Sequence, residues 1–226
     1  MTAAGARARV RAELTREIVE AARRHLATDG ASGLSLRAVA RELGMASSAV
    51  YRYFASRDEL LTALIVDAYD AIGAAAEKAE AAVERTDLRG RWRAVCRAAR
   101  EWALAHPHEY ALIYGSPVPG YAAPEATVAH AARVAVLLCR VVADASATGT
   151  VDPAPDGANA GDVLTPGLAE SLGLPEALAP RVVTAWSGLY GAISFELFGQ
   201  TRGVVDDHAG YFDAAVERLA DLVLLP

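Results

Sequence analysis

The segment Leu36–Phe54 holds the residues of greatest chemical interest. Leu36, Val39, Ala40 and Leu43 recur at helical spacing, Gly44 interrupts them, and Val50 and Phe54 carry a second apolar face. Two short helices about a glycine turn are the framework of a helix-turn-helix. The second helix enters a major groove while the first crosses the backbone, so both must be short and closely packed, and Ala40 is small enough to permit that. With Val50 and Phe54 inward, Ser47, Ser48, Ala49, Tyr51, Arg52 and Tyr53 face out. Ser47, Ser48 and Ala49 are too short for bidentate base contacts, although a hydroxyl or methyl suits thymine. Arg52 is the one long reader, with guanine or a phosphate as its target.

Such binding needs cations that displace the counterions of phosphate. The whole chain of 226 residues, with Lys+Arg 22 against Asp+Glu 28, carries a formal net charge of −6, which argues the other way. The charge is unevenly spread. Residues 1–57 hold ten arginines (Arg7, Arg9, Arg11, Arg16, Arg23, Arg24, Arg37, Arg41, Arg52, Arg57) against five acids (Glu13, Glu17, Glu20, Asp29, Glu42). That surplus of +5 leaves −11 for residues 58–226. The chain thus divides into a basic head, 1–57, and an acidic body, 58–226. Arg7, Arg9 and Arg11 read as a loose charged tail, with an adjacent minor groove as their alternative target.

Other classes fit poorly. The sequence has no G-x-S-x-G, H-E-x-x-H, phosphate-binding glycine loop or zinc-type cysteine pair, and His108-Glu109 lacks a second histidine. No catalytic residue, metal or cofactor is expected. Cys96 and Cys139 are far apart, which suits a reducing cytoplasm. The Arg- and Ala-rich N-terminus has no apolar core of a signal peptide. The longest apolar run, Val182 to Phe195, falls short of the ~20 residues of a membrane span, so no membrane partner is expected. A hydrophobic fraction of 53% with 22% charged residues fits a globular chain.

Helical periodicity dominates, and the expected fold is all-α, nine or ten helices, with a three-helix head before a larger helical body. Val10, Leu14, Ile18, Ala22 and Leu26 predict a first helix ending at Gly30. Ser35 is placed to cap Leu36–Leu43, and a third helix spans about Ser47–Phe54. Ser56 and Glu59 have capping-box spacing ahead of a long fourth helix from Arg57 to near Glu84. Asp87 caps a fifth, whose inner face is Trp92, Val95, Cys96, Ala99 and Trp102. Pro107 opens a sixth, and Pro124 a seventh running to about Ala145. Residues 146–161 read as a mobile loop. Short turns of helix follow near Thr165–Leu172 and Pro175–Ala179. Pro180–Gly199 and a last helix from Asp206 or Asp207 to Leu225 complete the chain.

Leu34–Gly44, Ser47–Phe54 and Ser56–Leu61, with Ala40, Gly44, Tyr51, Phe54 and Leu60 in register, resemble the TetR family of transcriptional regulators over residues 12–65. The resemblance implies that Ser35 and Arg37 hold a phosphate and that Tyr51 and Tyr53 touch the DNA backbone. Arg57 stands where the family usually has Lys, at the fourth helix's N-terminus, where a cation and backbone N–H groups face a phosphate. Ala46 replaces a common Ser, so Ser47 is expected to cap the third helix one residue late.

Trp186–Leu197 is similar to the family's C-terminal domain with a Trp-His-Gly signature, Tyr190 standing for the His. Ala105–Tyr110 and Gly115–Tyr121 match the same subgroup. The family implies a ligand-responsive regulator, usually a repressor, whose fourth helix shifts when a small molecule binds. Trp102, His106, Tyr110, Tyr114, Tyr121, His130 and Tyr190 are the candidate pocket, with His106, His130 and Arg133 orienting a polar end. A two-fold operator calls for a homodimer. Gly188, Gly191, Ala192 and Phe195 with Phe212, Val216, Leu219 and Val223 are the candidate interface. The rival reading is a helical adaptor protein with a vestigial head.

Overall fold

The computed structural model describes residues 3–149, 164–223 and 225, and every regular element among them is helical. The loop expected over 146–161 lies, from residue 150 onward, outside the described residues; residues 146–147 complete a helix instead. The chain forms two compact units. One comprises the N-terminal part as far as Tyr69 with His106–Val128, and the other Asp70–Ala105 with the chain from Ala129 onward. This division by packing differs from the division by charge at residue 57.

The first unit contains α1 (Ala3–Gly33), α2 (Leu36–Glu42), α3 (Ser47–Val50), the first turns of α4 (Arg57–Ala81) and α6 (Pro107–Tyr114). Gly30 breaks α1 as expected. Its φ of 68° and ψ of 174° are open to glycine and costly for a side chain with a Cβ. Ile18, Ala22, Leu26, Leu36, Val39, Ala40, Val50 and Phe54 are buried, together with Leu60, Leu61 and Leu64 of α4. The start of α4 is therefore part of the head's core, which is why packing and charge draw different boundaries. Val10 is 59% exposed, so the packing stripe of α1 begins later than its apolar periodicity suggests.

The capping box forms at the expected residues, with its return bond one residue before the N-cap. The Glu59 N–H donates to Ser56 Oγ at 3.1 Å, and the Glu59 carboxylate accepts the Ala55 N–H at 2.7 Å. The third helix departs from expectation. Ala46, not Ser47, holds the N-cap position, with no side-chain cap, and regular helix ends at Val50. Turn bonds such as Phe54 N–H to Val50 O (3.1 Å) carry the chain onward.

The second unit contains the rest of α4, α5 (Leu88–Ala105), α7 (Val128–Ala131, from Ala129), α8 (Arg133–Ala147), α9 (Leu168–Ser171), α10 (Ala179–Leu197) and α11 (His208–Leu222). Asp87 and Asp207 cap α5 and α11 by accepting the N–H of Gly90 and Gly210. The inner face of α5 is as expected, with Trp92, Val95, Cys96, Ala99 and Trp102 buried. Trp92 Nε1 donates to Val216 O at 3.3 Å, so the indole is both packed and satisfied. Both thiols are buried; burial pushes Cys139 up to about 11 and Cys96 higher still, so neither is a nucleophile at neutral pH.

The expected seventh helix is not continuous. A 3₁₀ turn over Glu125–Thr127 and α7 precede a 46° bend into α8. No Gly or Pro sits at the bend. It coincides instead with His130 and Arg133, both of which hold Asp70 of α4. Gly73 is where Arg133 passes: a Cβ there would lie 2.8 Å from Arg133 Nε and 3.0 Å from its Cβ.

Arginines of α5 meet carboxylates turn by turn. Arg89 reaches Glu217 and Asp221, Arg93 pairs with Glu217, Arg97 with Asp213, and Arg100 with Glu196. Arg91 is different in kind, only 1% exposed. Its Nε donates to Glu80 Oε1 at 2.5 Å and its Nη2 lies 2.8 Å from Asp144. Removing one member of a buried pair strands the other, at a cost of roughly 3–5 kcal/mol, whereas replacing both can be nearly neutral. Arg85 holds the same two carboxylates at 2.7 Å, so Glu80 is stranded only when both arginines go. Arg91→Met should lower the urea unfolding free energy by about 1–3 kcal/mol, and Arg85→Met added to it should cost about 3 kcal/mol more. A double variant as weak as the single would locate the loss in packing instead.

Candidate nucleic-acid interface

The turn between α1 and α2, the N-terminus of α2, the end of the third helical segment and the start of α4 surround one cleft. It has a volume of about 530 Å³ and is lined by Leu34, Ser35, Leu36, Arg37, Tyr51, Ala55, Ser56 and Arg57. The fold thus brings together four of the nine residues expected to contact DNA: Ser35, Arg37, Tyr51 and Arg57. Ser35 has the extended backbone of an N-cap (φ −142°, ψ 126°), but its hydroxyl makes no capping bond. Its carbonyl instead accepts the Val39 N–H at 3.1 Å. Tyr51 is 45% exposed.

Ser47, Ser48 and Arg52 are exposed, Ala49 and Tyr53 half-buried. The expected loose tail at Arg7–Arg11 is part of α1. Arg11 lies over the Tyr53 ring, 5.2 Å from its centroid, and donates to Arg52 O at 3.4 Å. A cation is thereby fixed beside the reading helix.

Electrostatics separate these arginines from the others. Arg16 answers Glu13, Arg23 answers Glu20, Asp67 and Glu109, and Arg24 answers Glu42. Among the described residues, Arg37, Arg41 and Arg52 form no ion pair. Arg57 is committed elsewhere: its guanidinium donates to Ala31 O at 2.7 Å, Leu34 O at 3.1 Å and Ser32 O at 3.5 Å. The cation that the resemblance directs at a phosphate here faces backbone carbonyls.

The candidate pocket residues divide between the units. In the first, Tyr110 and Tyr114 pack with centroids 5.1 Å apart, and Tyr121 Oη lies 2.9 Å from Thr62 Oγ1. His106 Nδ1 lies 3.3 Å from Glu109. Tyr69 was invisible to motif reading. It packs edge-on against Tyr114 (5.9 Å, 88°), donates to Ile113 O, and is pushed above its usual range by burial and by Tyr121. Its only sequence signal is the inward register of α4. In the second unit, Trp102 and Tyr190 are buried, Tyr190 edge-on to Trp186.

His130 and Arg133, expected to orient a ligand, are held by α4 instead. His130 Nδ1 lies 2.8 Å from Asp70 Oδ1. Arg133 donates to Asp70 Oδ1 and O and, through two nitrogens, to Glu77.

Part of the expected dimer face belongs to the chain's own core. Phe212, Val216 and Val223 are buried, and Gly188 exists for α11, since a Cβ there would meet Leu219 Cδ2 at 2.9 Å. These residues pack α10 on α11 within the chain, Gly188 and Leu219 remaining half-buried. Gly191 faces open space, Ala192 is half-buried and Phe195 is 56% exposed. Phe198 and Tyr211, which sequence periodicity did not single out, are also exposed.

Geometry and charge define a helix-turn-helix DNA-binding protein. The model for bacterial regulatory proteins of the tetR family matches residues 18–64, and that for the tetracyclin repressor-like C-terminal domain matches residues 92–219. The HTH-type transcriptional regulators Rv1816 of Mycobacterium tuberculosis and Mb1846 of Mycobacterium bovis are each 40% identical over 223 residues, 95% of this chain and 94% of theirs. The crystal structure of the regulatory protein SCO4313 superposes with a TM-score of 0.74 at 35% identity, covering 94% of this chain and 98% of that one. RolR in complex with resorcinol shares the fold (TM-score 0.53, 17% identity, 97% of each chain). The chain belongs to the TetR family. It is a DNA-binding transcriptional regulator and not an enzyme.

Asp70 gives the second unit a pH-dependent stability. Burial pushes its carboxyl up, but hydrogen bonds and charge from His130 and Arg133 outweigh that and hold it below the ordinary 3.8. A depressed folded value means stability that is complete above 3.8 and lost as pH falls through the folded value. Thermal melts of the wild type should therefore lose a component on acidification below pH ~4 that Asp70→Asn lacks. Parallel acid profiles for the two proteins would refute the assignment.

Proposed function

We propose that the protein is a cytoplasmic, ligand-responsive transcriptional repressor that binds a palindromic operator duplex as a homodimer. Ser35, Arg37, Tyr51 and Tyr53 hold the DNA backbone, while Ser47, Ser48, Ala49 and Arg52 enter the major groove. The observation that carries this reading is that Arg37, which lines the Ser35–Tyr51 cleft, and Arg41 and Arg52 form no ion pair among the described residues, in a chain whose α5 arginines all face carboxylates. A vestigial head in an adaptor protein has no reason to retain such cations.

The exposed face of α10 and α11, with Gly191, Ala192, Phe195, Phe198 and Tyr211, supports pairing of two chains. Tyr69, Tyr110, Tyr114 and Tyr121, and separately Trp102 and Tyr190, supply the apolar and phenolic surface that suits a small aromatic effector. A TetR-fold protein, RolR, is known with resorcinol bound. An effector acts by preferring the conformer that does not bind DNA, and coupling of ~1–3 kcal/mol suffices for release.

A duplex from the region upstream of the protein's own gene tests the reading. Binding should weaken steeply with salt, with a slope of log K on log salt of roughly −5 for six cations across two heads. Arg52→Ala should weaken it by about 1–3 kcal/mol and relax preference at one position of each half-site. No specific complex at low salt would overturn the proposal. Sedimentation of the free protein should give a dimer that Phe195→Asp converts to monomer; an unchanged mass would remove Phe195 from the interface.

A further inference from the structure

Arg57 is the most heavily engaged arginine of the head, yet no carboxylate holds it closely: the nearest, Asp58, is 3.8 Å away. Its Nε donates to Leu34 O and one Nη to Ala31 O and Ser32 O. Those carbonyls belong to the turn just after the break at Gly30, the point where α1 ends and the path to α2 is set. The same turn carries Ser35 and Arg37 into the cleft that Tyr51 and Arg57 also line. Ala31 O also accepts the Leu34 N–H, at a long 3.4 Å. Carbonyls beyond a helix break lack the regular helical bond, and a planar fork of N–H donors can satisfy several at once where a lysine ammonium cannot span them.

We propose that Arg57 is a positioning residue, anchoring the α1–α2 turn to the first turn of α4 and thereby setting the attitude of the reading helices, without itself contacting a DNA phosphate. Three features of the structure support this role. The Ser56–Glu59 capping box fixes the peptide that carries Arg57, so the anchor has a rigid base. Leu60, Leu61 and Leu64, directly behind it, are in the head's core, so the base cannot drift. The side chain is 30% exposed, with its fork turned into the protein. The inference rests on the head being the surface that meets DNA, and the experiment separates the two.

Full-length wild type, Arg57→Lys and Arg57→Met are titrated with the upstream duplex and with a random duplex of equal length. The salt series is run below the melting temperature of every variant. An anchor predicts that Lys does not rescue: both variants bind the upstream duplex about tenfold more weakly, keep the wild-type salt slope, and bind random duplex within about twofold of wild type. A role confined to stability leaves the affinity of the folded protein unchanged. A phosphate contact predicts the converse: Lys matches wild type, while Met reduces the slope by about 1.8, one contact in each of two heads, and weakens both duplexes alike. Either of those results overturns the inference.

A measurement on the wild type alone serves where a variant fails to fold. The Arg57 Nε–H, held by Leu34 O, should stay protected from solvent exchange and unshifted in its nitrogen resonance when duplex is added. Loss of protection or a large shift on binding overturns the inference. A wild type that binds neither duplex overturns the DNA reading and this inference with it, whereas binding with Lys rescue overturns this inference alone.

Discussion

An arginine buried without a counter-charge is expensive, and the distribution of its partners organises this molecule. In the second unit Arg89, Arg91, Arg93, Arg97, Arg100 and Arg133 each meet a carboxylate, several of them two. By sequence alone α5, with its five arginines between residues 89 and 100, looks as basic as the head. Paired against Glu80, Asp144, Glu196, Asp213, Glu217 and Asp221, it presents no uncompensated stripe to a polyanion. Most of these pairs are half-exposed and contribute little to stability individually. Their consequence is electrostatic: the α5 cations are compensated, whereas Arg37 and Arg41 of α2 and Arg52 beyond α3 form no ion pair among the described residues.

The same accounting assigns meaning to α4. Its N-terminal turns supply Leu60, Leu61 and Leu64 to the head's core. Its later turns present Asp70 and Glu77 to His130 and Arg133 in the second unit. Gly73 lies between those two carboxylates and costs helix propensity, about 1 kcal/mol relative to alanine. The cost is offset by geometry, since only a residue without a Cβ lets the Arg133 side chain lie flat enough to reach both Asp70 and Glu77. One helix thus contributes side chains to the core of the first unit and to the ion pairs of the second.

Elements whose signals are local were legible in the sequence. The capping box at Ser56–Glu59, the caps at Asp87 and Asp207, the break at Gly30 and the inner face of α5 all follow from residue type and spacing within one turn or two. What escaped depends on distant partners. The bend between α7 and α8 has no Gly or Pro and sits where His130 and Arg133 turn to Asp70, some sixty residues away in sequence. The apolar stripes of α10 and α11 were correctly seen as stripes, but periodicity cannot say whether a stripe meets its own neighbour or a second chain. Phe212, Val216 and Val223 are buried within the chain, while Gly188 and Leu219 stay half-buried. At the head, spacing found the residues of the cleft but not the direction of Arg57, because a guanidinium's choice between a phosphate and a carbonyl is made by the turn opposite it.

That choice matters because the reading helix is so short and so lightly armed. Ser47, Ser48 and Ala49 extend little beyond the backbone, and regular helix ends at Val50. A long side chain can re-aim to make up for a misplaced helix; a hydroxyl or a methyl cannot, so such a helix must come close to the groove floor in one defined pose. Pose is supplied by what surrounds it. Arg11 braces Tyr53 from α1, the Ser56–Glu59 box fixes the entry of α4, and the turn before α2 is tied down by carbonyl contacts. In the complex proposed above, backbone contacts at Ser35, Arg37 and Tyr51 would convert that fixed pose into register along the duplex. In a head built this way, discrimination between sequences depends less on the reach of individual readers than on how little the three helices can move relative to one another.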